Sequence, residues 1–127
     1  MKDDKLWKIF SQYIRLRDSD DTGHLNCITS GRRVHWKEAD AGHFISRRHL
    51  ATKFDEQNVN GQSRHDNRFA AGKQYEYALA IDKKYGKGTA EKLLVKSKQV
   101  CKRGKTEIEV MEQYYKKEVE RLLKEKQ

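Results

Sequence analysis

Apolar residues in the first part of the chain recur at the spacing of one helix face. Between positions 4 and 17 that face holds Leu6, Ile9, Phe10, Tyr13 and Ile14. This spacing predicts a helix over 4–17. We expect Asp3 and Asp4 to cap its N-terminus and to favour the helix dipole. The polar run 18–23 is expected to end the helix.

The middle of the chain alternates short apolar segments with turn residues. Positions 25–45 predict two brief strands, with a hairpin turn at Gly31 and a second segment ending around His43. Positions 46–62 are mostly polar, which predicts a loop rather than a regular element. Within this loop, Phe54 and Val59 are the expected buried anchors.

The second half of the chain has helical periodicity. One helix is predicted over 67–85, ending at Gly86, with four residues turned inward: Phe69, Tyr75, Ala78 and Leu79. Another helix is predicted over 89–98. The last begins with the capping-box spacing of Thr106 and Glu109 and carries an apolar stripe of Ile108, Met111, Tyr115, Val119, Leu122 and Leu123. This stripe either packs on the core of the same chain or forms the surface of a homodimer.

Together these elements predict a mostly helical α+β fold in one domain, 1–127. An N-terminal helical part (1–22) precedes a core of strands and a helix (23–72), and a basic helical tail (73–127) follows. No stretch approaches eighteen apolar residues and no secretory signal begins the chain, so we expect a cytoplasmic protein without a membrane partner. Cys27 and Cys101 are too few and too far apart for a disulfide framework.

Charge narrows the choice of partner. Lys and Arg total 28 against 19 Asp and Glu, a net charge of +9. The excess is +3 in residues 1–72 and +6 in residues 73–127, so the tail carries more of the positive field. A basic balance of this kind favours a nucleic-acid partner, although a merely soluble surface remains the simpler alternative.

Side chains that bind divalent ions or activate water concentrate between positions 40 and 67. They are Asp40, His43, His49, Asn58, Asn60, His65, Asp66 and Asn67. A nuclease needs a base for the attacking water and a metal for the leaving oxyanion. By composition alone, solvated histidines and loop asparagines are the more common explanation of the same residues.

The order of these residues resembles the HNH nuclease pattern. The segments concerned are DAGHF at 40–44, FDEQNVNGQ at 54–62 and NR at 67–68. More closely, the chain is similar to the phage NinG (Rap) recombination nuclease family, which has a similar Ala-Gly-His segment and a similar Asn-Val-x-x-Gln segment. Positions 10–18 and the Tyr-rich stretch 112–122 extend the resemblance over most of the chain.

The resemblance implies a ββα-metal (HNH-like) core and an endonuclease that hydrolyses DNA phosphodiester bonds with Mg²⁺ or Mn²⁺. Its implied substrates are branched recombination intermediates, such as Holliday junctions or D-loops, in the bacterial host of a phage or prophage. His43 matches the general base, and Asn58 the residue that orients its loop. Asn67 matches a metal ligand, with Asp40 as a second ligand. His65, two residues before Asn67, is a further candidate at the metal site; it could assist the metal, contact a phosphate or do neither.

The chain departs from the family at its zinc-binding cysteines. Relatives carry two Cys-x-x-Cys pairs, whereas this chain has CITS at 27–30 and SRHD at 63–66. We therefore expect no structural zinc, because serine is a poor zinc ligand, and packing by Val34, Trp36 and Phe44 in its place. The weaker alternative is a mixed site of Cys27, His65 and Asp66 with His24 or His35.

Basic residues flank the segment 40–67 and continue in the tail. The expected nucleic-acid contacts are Arg47, Arg48, Arg64, Arg68, Lys98, Lys102, Arg103 and Lys105. The alternative function is a catalytically inactive DNA-binding accessory module of recombination. An RNA partner is less favoured, because no aromatic motif of the common RNA-binding modules is present.

Overall fold

The computed structural model describes residues 2–126. The helices and strands are α1 (Asp4–Arg17), β1 (His24–Asn26), β2 (Arg33–His35), β3 (Ala39–His43), α2 (Leu50–Lys53), β4 (Val59–Ser63), α3 (Arg64–Arg68), α4 (Gln74–Tyr85), α5 (Thr89–Ser97) and α6 (Lys105–Glu125). Short 3₁₀ turns lie at Trp36–Glu38 and Ala71–Lys73. This order confirms the prediction of a mostly helical α+β fold.

The strands form two antiparallel pairs, β1 with β2 and β3 with β4. In the second pair Asp40 faces Gln62 and Gly42 faces Asn60, and α3 follows β4 directly. The predicted loop over 46–62 is wrong, because α2 and β4 lie there. All five residues of β4 are buried although most are polar, so hydropathy does not reveal the strand. Phe54 and Val59 are buried, as predicted.

The larger apolar core lies between α1, α6 and the strands. Leu6, Phe10 and Ile14 are fully buried on one face of α1. The ring of Phe10 meets the ring of Tyr115 edge to face, with centroids 4.9 Å apart. The α6 stripe therefore packs on its own chain, and Leu123, which is 45% exposed, lies at its edge.

Neither predicted N-terminal cap forms. Asp3 occupies the N-cap of α1 but makes no side-chain capping bond; its carboxylate accepts hydrogen bonds of 2.9 and 3.0 Å from the Lys53 ammonium instead. The N-cap of α6 is Gly104, and Thr106 lies within the helix. An ion pair with a buried lysine thus takes the place of the expected cap on α1.

A second, smaller core joins α4 to α5. Tyr77, Ile81 and Leu93 form its buried centre. The predicted continuous helix over 67–85 is wrong, because the chain breaks between α3 and α4, where Ala71 and Lys73 take positive φ angles of 53° and 55°. The break changes which side of the helix faces inward. Three residues predicted to be buried are consequently exposed: Phe69 by 80%, Tyr75 by 73% and Leu79 by 57%.

The residues expected to replace a zinc site do not act as one group. Trp36 is buried in the larger core, with Val34 packed against it. Phe44 belongs to the smaller core, where its ring lies 5.5 Å from the ring of Tyr77. Within residues 2–126, none of the helices combines the length and the apolar character needed to cross a membrane.

Candidate functional site

A cleft of about 430 Å³ opens beside strand β3. Its lining comes from α1, from β3 and the segment after it, and from α3 and the turn after that: Trp7, Ser11, Asp40, Ala41, His43, Arg47, Asn67, Arg68, Ala71 and Gln74. We call this cavity the β3–α3 cleft. The structure thus brings the predicted Asp40, His43 and Asn67 to one cleft, together with residues of the N-terminal helix.

His43 is held as a neutral imidazole. Its Nε2 lies 3.0 Å from the backbone carbonyl oxygen of Lys53. Since a carbonyl only accepts, Nε2 carries the proton and donates, which leaves Nδ1 as the nitrogen with a free lone pair. Burial lowers the pKa of His43 from 6.5 to about 4, and the nearby positive charge of Arg47 adds to this effect. The ring is therefore an unprotonated acceptor at neutral pH.

Trp7 of α1 fixes the plane of that imidazole. The two rings are stacked, with centroids 4.7 Å apart and planes inclined by 24°. The guanidinium carbon of Arg47 lies 5.4 Å from the centroid of the Trp7 ring. The sequence prediction missed Trp7. The sequence did offer one signal for it, since Trp7 is an aromatic residue at the edge of the α1 apolar face. Ser11, one turn further along α1, lines the same cleft.

Asp40 is an ionised carboxylate held by two partners from α3. Arg68 donates to both carboxylate oxygens, at 2.8 and 2.9 Å, and Asn67 Nδ2 donates at 2.9 Å. Burial alone would raise the pKa of Asp40, but these hydrogen bonds outweigh it and the pKa is lowered. Because Asn67 uses its amide nitrogen here, its Oδ1 is left to accept from or coordinate other groups.

Gly42 lets α3 approach the strand closely. A Cβ atom at this position would collide with Gln62 Oε1 and would lie 3.1 Å from Asn67 Oδ1. The Gly42 carbonyl also accepts a 2.6 Å hydrogen bond from the fully buried Tyr77 hydroxyl. The absence of a side chain at Gly42 therefore keeps the Asn67 amide against β3, next to Asp40.

Asn58 lies behind the cleft rather than in it. Its Oδ1 accepts a 2.8 Å hydrogen bond from the Ile45 N–H. Its Nδ2 donates to the carbonyl oxygens of Ile45 and Thr52, both at 3.0 Å. Since Lys53, the neighbour of Thr52, carries the carbonyl that binds His43, Asn58 connects the two segments that hold the imidazole. Its hydrogen bonds therefore hold these two segments together, and its role in orienting the loop stays a prediction.

The other predicted ligands lie elsewhere. His65 lies outside the β3–α3 cleft, its side chain 70% exposed, with Nδ1 3.4 Å from Asp66 Oδ1. Three of the four positions that match the cysteine pairs, 27, 63 and 66, meet in a separate buried cluster, whereas Ser30 is exposed. There the Ser63 N–H donates to Cys27 Sγ at 3.1 Å, and the Thr29 hydroxyl donates to Asp66 at 2.6 Å. Hydrogen bonds thus link the segments 27–30 and 63–66.

The predicted basic residues divide into two groups. Arg47 and Arg68 line the β3–α3 cleft, and Arg64 Nε lies 3.9 Å from Asp40. The others do not line it. Arg48 is exposed, and Arg103 donates to the Leu50 carbonyl at 2.8 Å; the exposed tail lysines are Lys98, Lys102 and Lys105. Arg103 thus places the basic 98–105 segment against α2, whose last residue, Lys53, binds His43.

These features define a mostly helical α+β protein with a polar cleft built on a β-hairpin and the helix that follows it. The chain belongs to the NinG family: it matches the family described as Bacteriophage Lambda NinG protein over residues 2–125. Members of this family are phage proteins associated with recombination. Comparisons with curated proteins and with solved structures gave no match.

Proposed function

We propose that this protein is a metal-dependent DNA endonuclease of the HNH kind that acts on branched recombination intermediates. The observation that carries the proposal is that His43, Asp40 and Asn67 all line the β3–α3 cleft. The order of elements supports it, since β3, β4 and α3 form a hairpin followed by a helix. The net charge of +9 favours a polyanionic substrate.

In this proposal His43 is the general base. Its Nε2 proton is bound to the Lys53 carbonyl, so Nδ1 takes the proton from the attacking water. Trp7 and Asn58 hold the ring and its supporting segments in place. A pKa of about 4 keeps the base unprotonated at neutral pH, and a bound phosphate would raise the pKa and so strengthen the base.

The polar groups of the cleft fit Mg²⁺ or Mn²⁺. Both ions prefer oxygen ligands, and Mg²⁺ sites in proteins commonly use one or two carboxylates completed by water. Asp40 supplies an ionised carboxylate and Asn67 an amide oxygen in the same cleft. Such an ion would supply charge stabilisation for the leaving oxyanion. Arg68, freed from Asp40, would then be available to a phosphate oxygen as a planar donor.

Cleavage of a four-way junction in Mg²⁺ or Mn²⁺ tests the proposal. Wild type should cut, His43→Ala should lose at least about 100-fold in rate, the lower range for a general base, and Asp40→Asn should weaken Mn²⁺ binding measured by calorimetry. His24→Ala, a histidine on β1 away from the cleft, is the matched control and should cut like wild type. A wild type that binds the junction without cutting it, or equal cutting by His43→Ala, contradicts the proposal.

One observation favours a second candidate, a DNA-binding accessory module without catalysis. The Asp40 carboxylate is already paired with Arg68 through two hydrogen bonds, so an ion must displace a guanidinium to bind there. This candidate predicts junction binding that weakens steeply with salt, no heat of Mn²⁺ binding, and no product at any metal concentration. Calorimetry with Mn²⁺ separates the two candidates before any nuclease assay.

A further inference from the structure

Two aromatic rings stand in solvent at the edge of the β3–α3 cleft. Phe69 is 80% exposed and Tyr75 is 73% exposed. They come at the end of α3 and in the first turn of α4, on either side of the 3₁₀ turn Ala71–Lys73. Neither ring belongs to either apolar core. Exposed apolar side chains are common on proteins, but two aromatic rings on one segment beside a cleft are a candidate binding surface.

The residues between the two rings connect them to the cleft. Arg68, Ala71 and Gln74 line the β3–α3 cleft, and Phe69 and Tyr75 directly follow Arg68 and Gln74 in the chain. All five of these side chains are exposed, and the two rings lie next in the chain to residues that line the cleft. A ligand that occupies the cleft and continues along this segment would pass residues 69 and 75.

Charge indicates which ligand this is. Between Arg64 and Tyr75 the basic side chains are Arg64, Arg68 and Lys73. The carboxylate within that stretch, Asp66, is buried and hydrogen-bonded to Thr29. Arg64 and Arg68 are ion-paired with Glu38 and Asp40 at 3.4 and 2.8 Å, and the exposed Glu76 follows Tyr75, so DNA phosphates would compete with these carboxylates for the two arginines. Aromatic rings set among basic side chains are the combination that binds single-stranded nucleic acid, in which bases stack on the rings while cations contact the phosphates. A second copy of this basic chain would bring like charges together.

We infer that Phe69 and Tyr75 stack against unpaired bases of the DNA and select substrates that contain unpaired nucleotides next to paired ones. The inference rests on the proposed function, since the paired part of the DNA is taken to lie in the β3–α3 cleft. It adds a means of selection among branched DNAs: D-loops and forks contain unpaired bases that plain duplex and a fully paired junction lack, and these rings bind such bases.

Fluorescence anisotropy in EDTA tests the inference, because nothing is cut without a divalent ion. The probes are a fluorescein-labelled duplex and a fork made of the same duplex with two unpaired arms. Wild type should bind the fork more tightly. Phe69→Ala and Tyr75→Ala should each weaken fork binding by roughly 5- to 100-fold, the range for one stacked base, and change duplex binding less than about twofold. Tyr114→Ala, an aromatic 54% exposed on α6, is the matched control.

Two further variants separate stacking from simple apolar contact. Phe69→Leu keeps an apolar side chain without a π face and should bind the fork as weakly as Phe69→Ala, whereas Phe69→Trp should bind at least as well as wild type. Because both rings are exposed, melting temperatures should not change. Equal fork binding by wild type and Phe69→Ala overturns the inference, as does an equal loss on fork and duplex. A wild-type dimer that these substitutions dissociate would assign the rings to a second copy instead.

The outcomes also separate this inference from the nuclease proposal. If the protein selects the fork through Phe69 and Tyr75 but never cuts, the stacking inference stands and the nuclease proposal fails. If the protein cuts junctions while both alanine variants bind the fork like wild type, the nuclease proposal stands and the stacking inference fails.

Discussion

The stability of this protein should fall by about 2 kcal/mol between about pH 7.5 and about pH 5 because of His43 alone. The perturbation is protonation of an imidazole that the fold keeps neutral. Its pKa is lowered from 6.5 to about 4 by burial, with Trp7 stacked on its face. Above pH 6.5 the ring is neutral in both states, and the folded state has its full stability.

As the pH falls below 6.5, the unfolded chain binds a proton at His43 before the folded chain does. Stability is therefore lost progressively between pH 6.5 and 4. One pKa unit corresponds to about 1.4 kcal/mol, so the full shift corresponds to about 3 kcal/mol, of which about 2 has been lost at about pH 5.

Urea unfolding at several pH values, with wild type and His43→Gln side by side, measures this contribution. The other four histidines and the carboxylates are common to both proteins, so their effects cancel in the difference. The wild type should lose more stability than the variant as the pH falls, and NMR should show the His43 ring titrating well below the others. Parallel pH profiles for the two proteins, or a His43 resonance that titrates near 6.5, would refute the reasoning.

Three substitutions test the surroundings of the cleft. Gly42→Ala places a methyl group against two amide side chains and should cost about 1–3 kcal/mol in urea unfolding; an unchanged midpoint would contradict the close approach. Asp3→Asn leaves the buried Lys53 ammonium without its anion and should cost about 3–5 kcal/mol by thermal unfolding, so a loss below about 1 kcal/mol would count against this pair. Asn58→Ala removes three buried hydrogen bonds and should cost at least about 2 kcal/mol, whereas the exposed Asn26→Ala should be nearly neutral.

The helices that pack on the larger core could be predicted from the sequence. In α1, Leu6, Phe10 and Ile14 repeat at helical spacing and are all fully buried, so the apolar spacing coincides with the buried face of the helix. The same holds for Tyr115 and Val119 of α6. In these helices the buried residues are also the apolar ones, so the hydropathy pattern is sufficient to predict the helix and its buried face.

Strand β4 could not be predicted in this way, because its buried residues are polar. Asn60 and Gln62 have no exposed surface. The Asn60 carboxamide oxygen accepts hydrogen bonds from Lys84 and Tyr85, at 2.9 and 2.6 Å, both more than twenty positions away. These distant partners satisfy the buried amide only once the chain has folded, so no local sequence pattern reveals that the residue is buried.

The candidate site likewise has a part that could be predicted from the sequence and a part that could not. The segments holding Asp40, His43 and Asn67 were found from their order in the chain. That Arg68 would pair with Asp40, and that Trp7 would stack on His43 from another helix, depends on how α1 and α3 dock against β3. His65 lies near Asn67 in sequence, yet its side chain projects from α3 into solvent.

The stacking of Trp7 on His43 also allows the site to be followed by tryptophan fluorescence. An excited indole is quenched by a protonated imidazole in contact with it, so Trp7 emission should report the charge on His43. The chain has two tryptophans, and Trp36→Phe would leave Trp7 as the single emitter. In that variant the wavelength and intensity of emission would follow protonation of His43 and would test the proposed binding of metal and DNA at the cleft without any added dye.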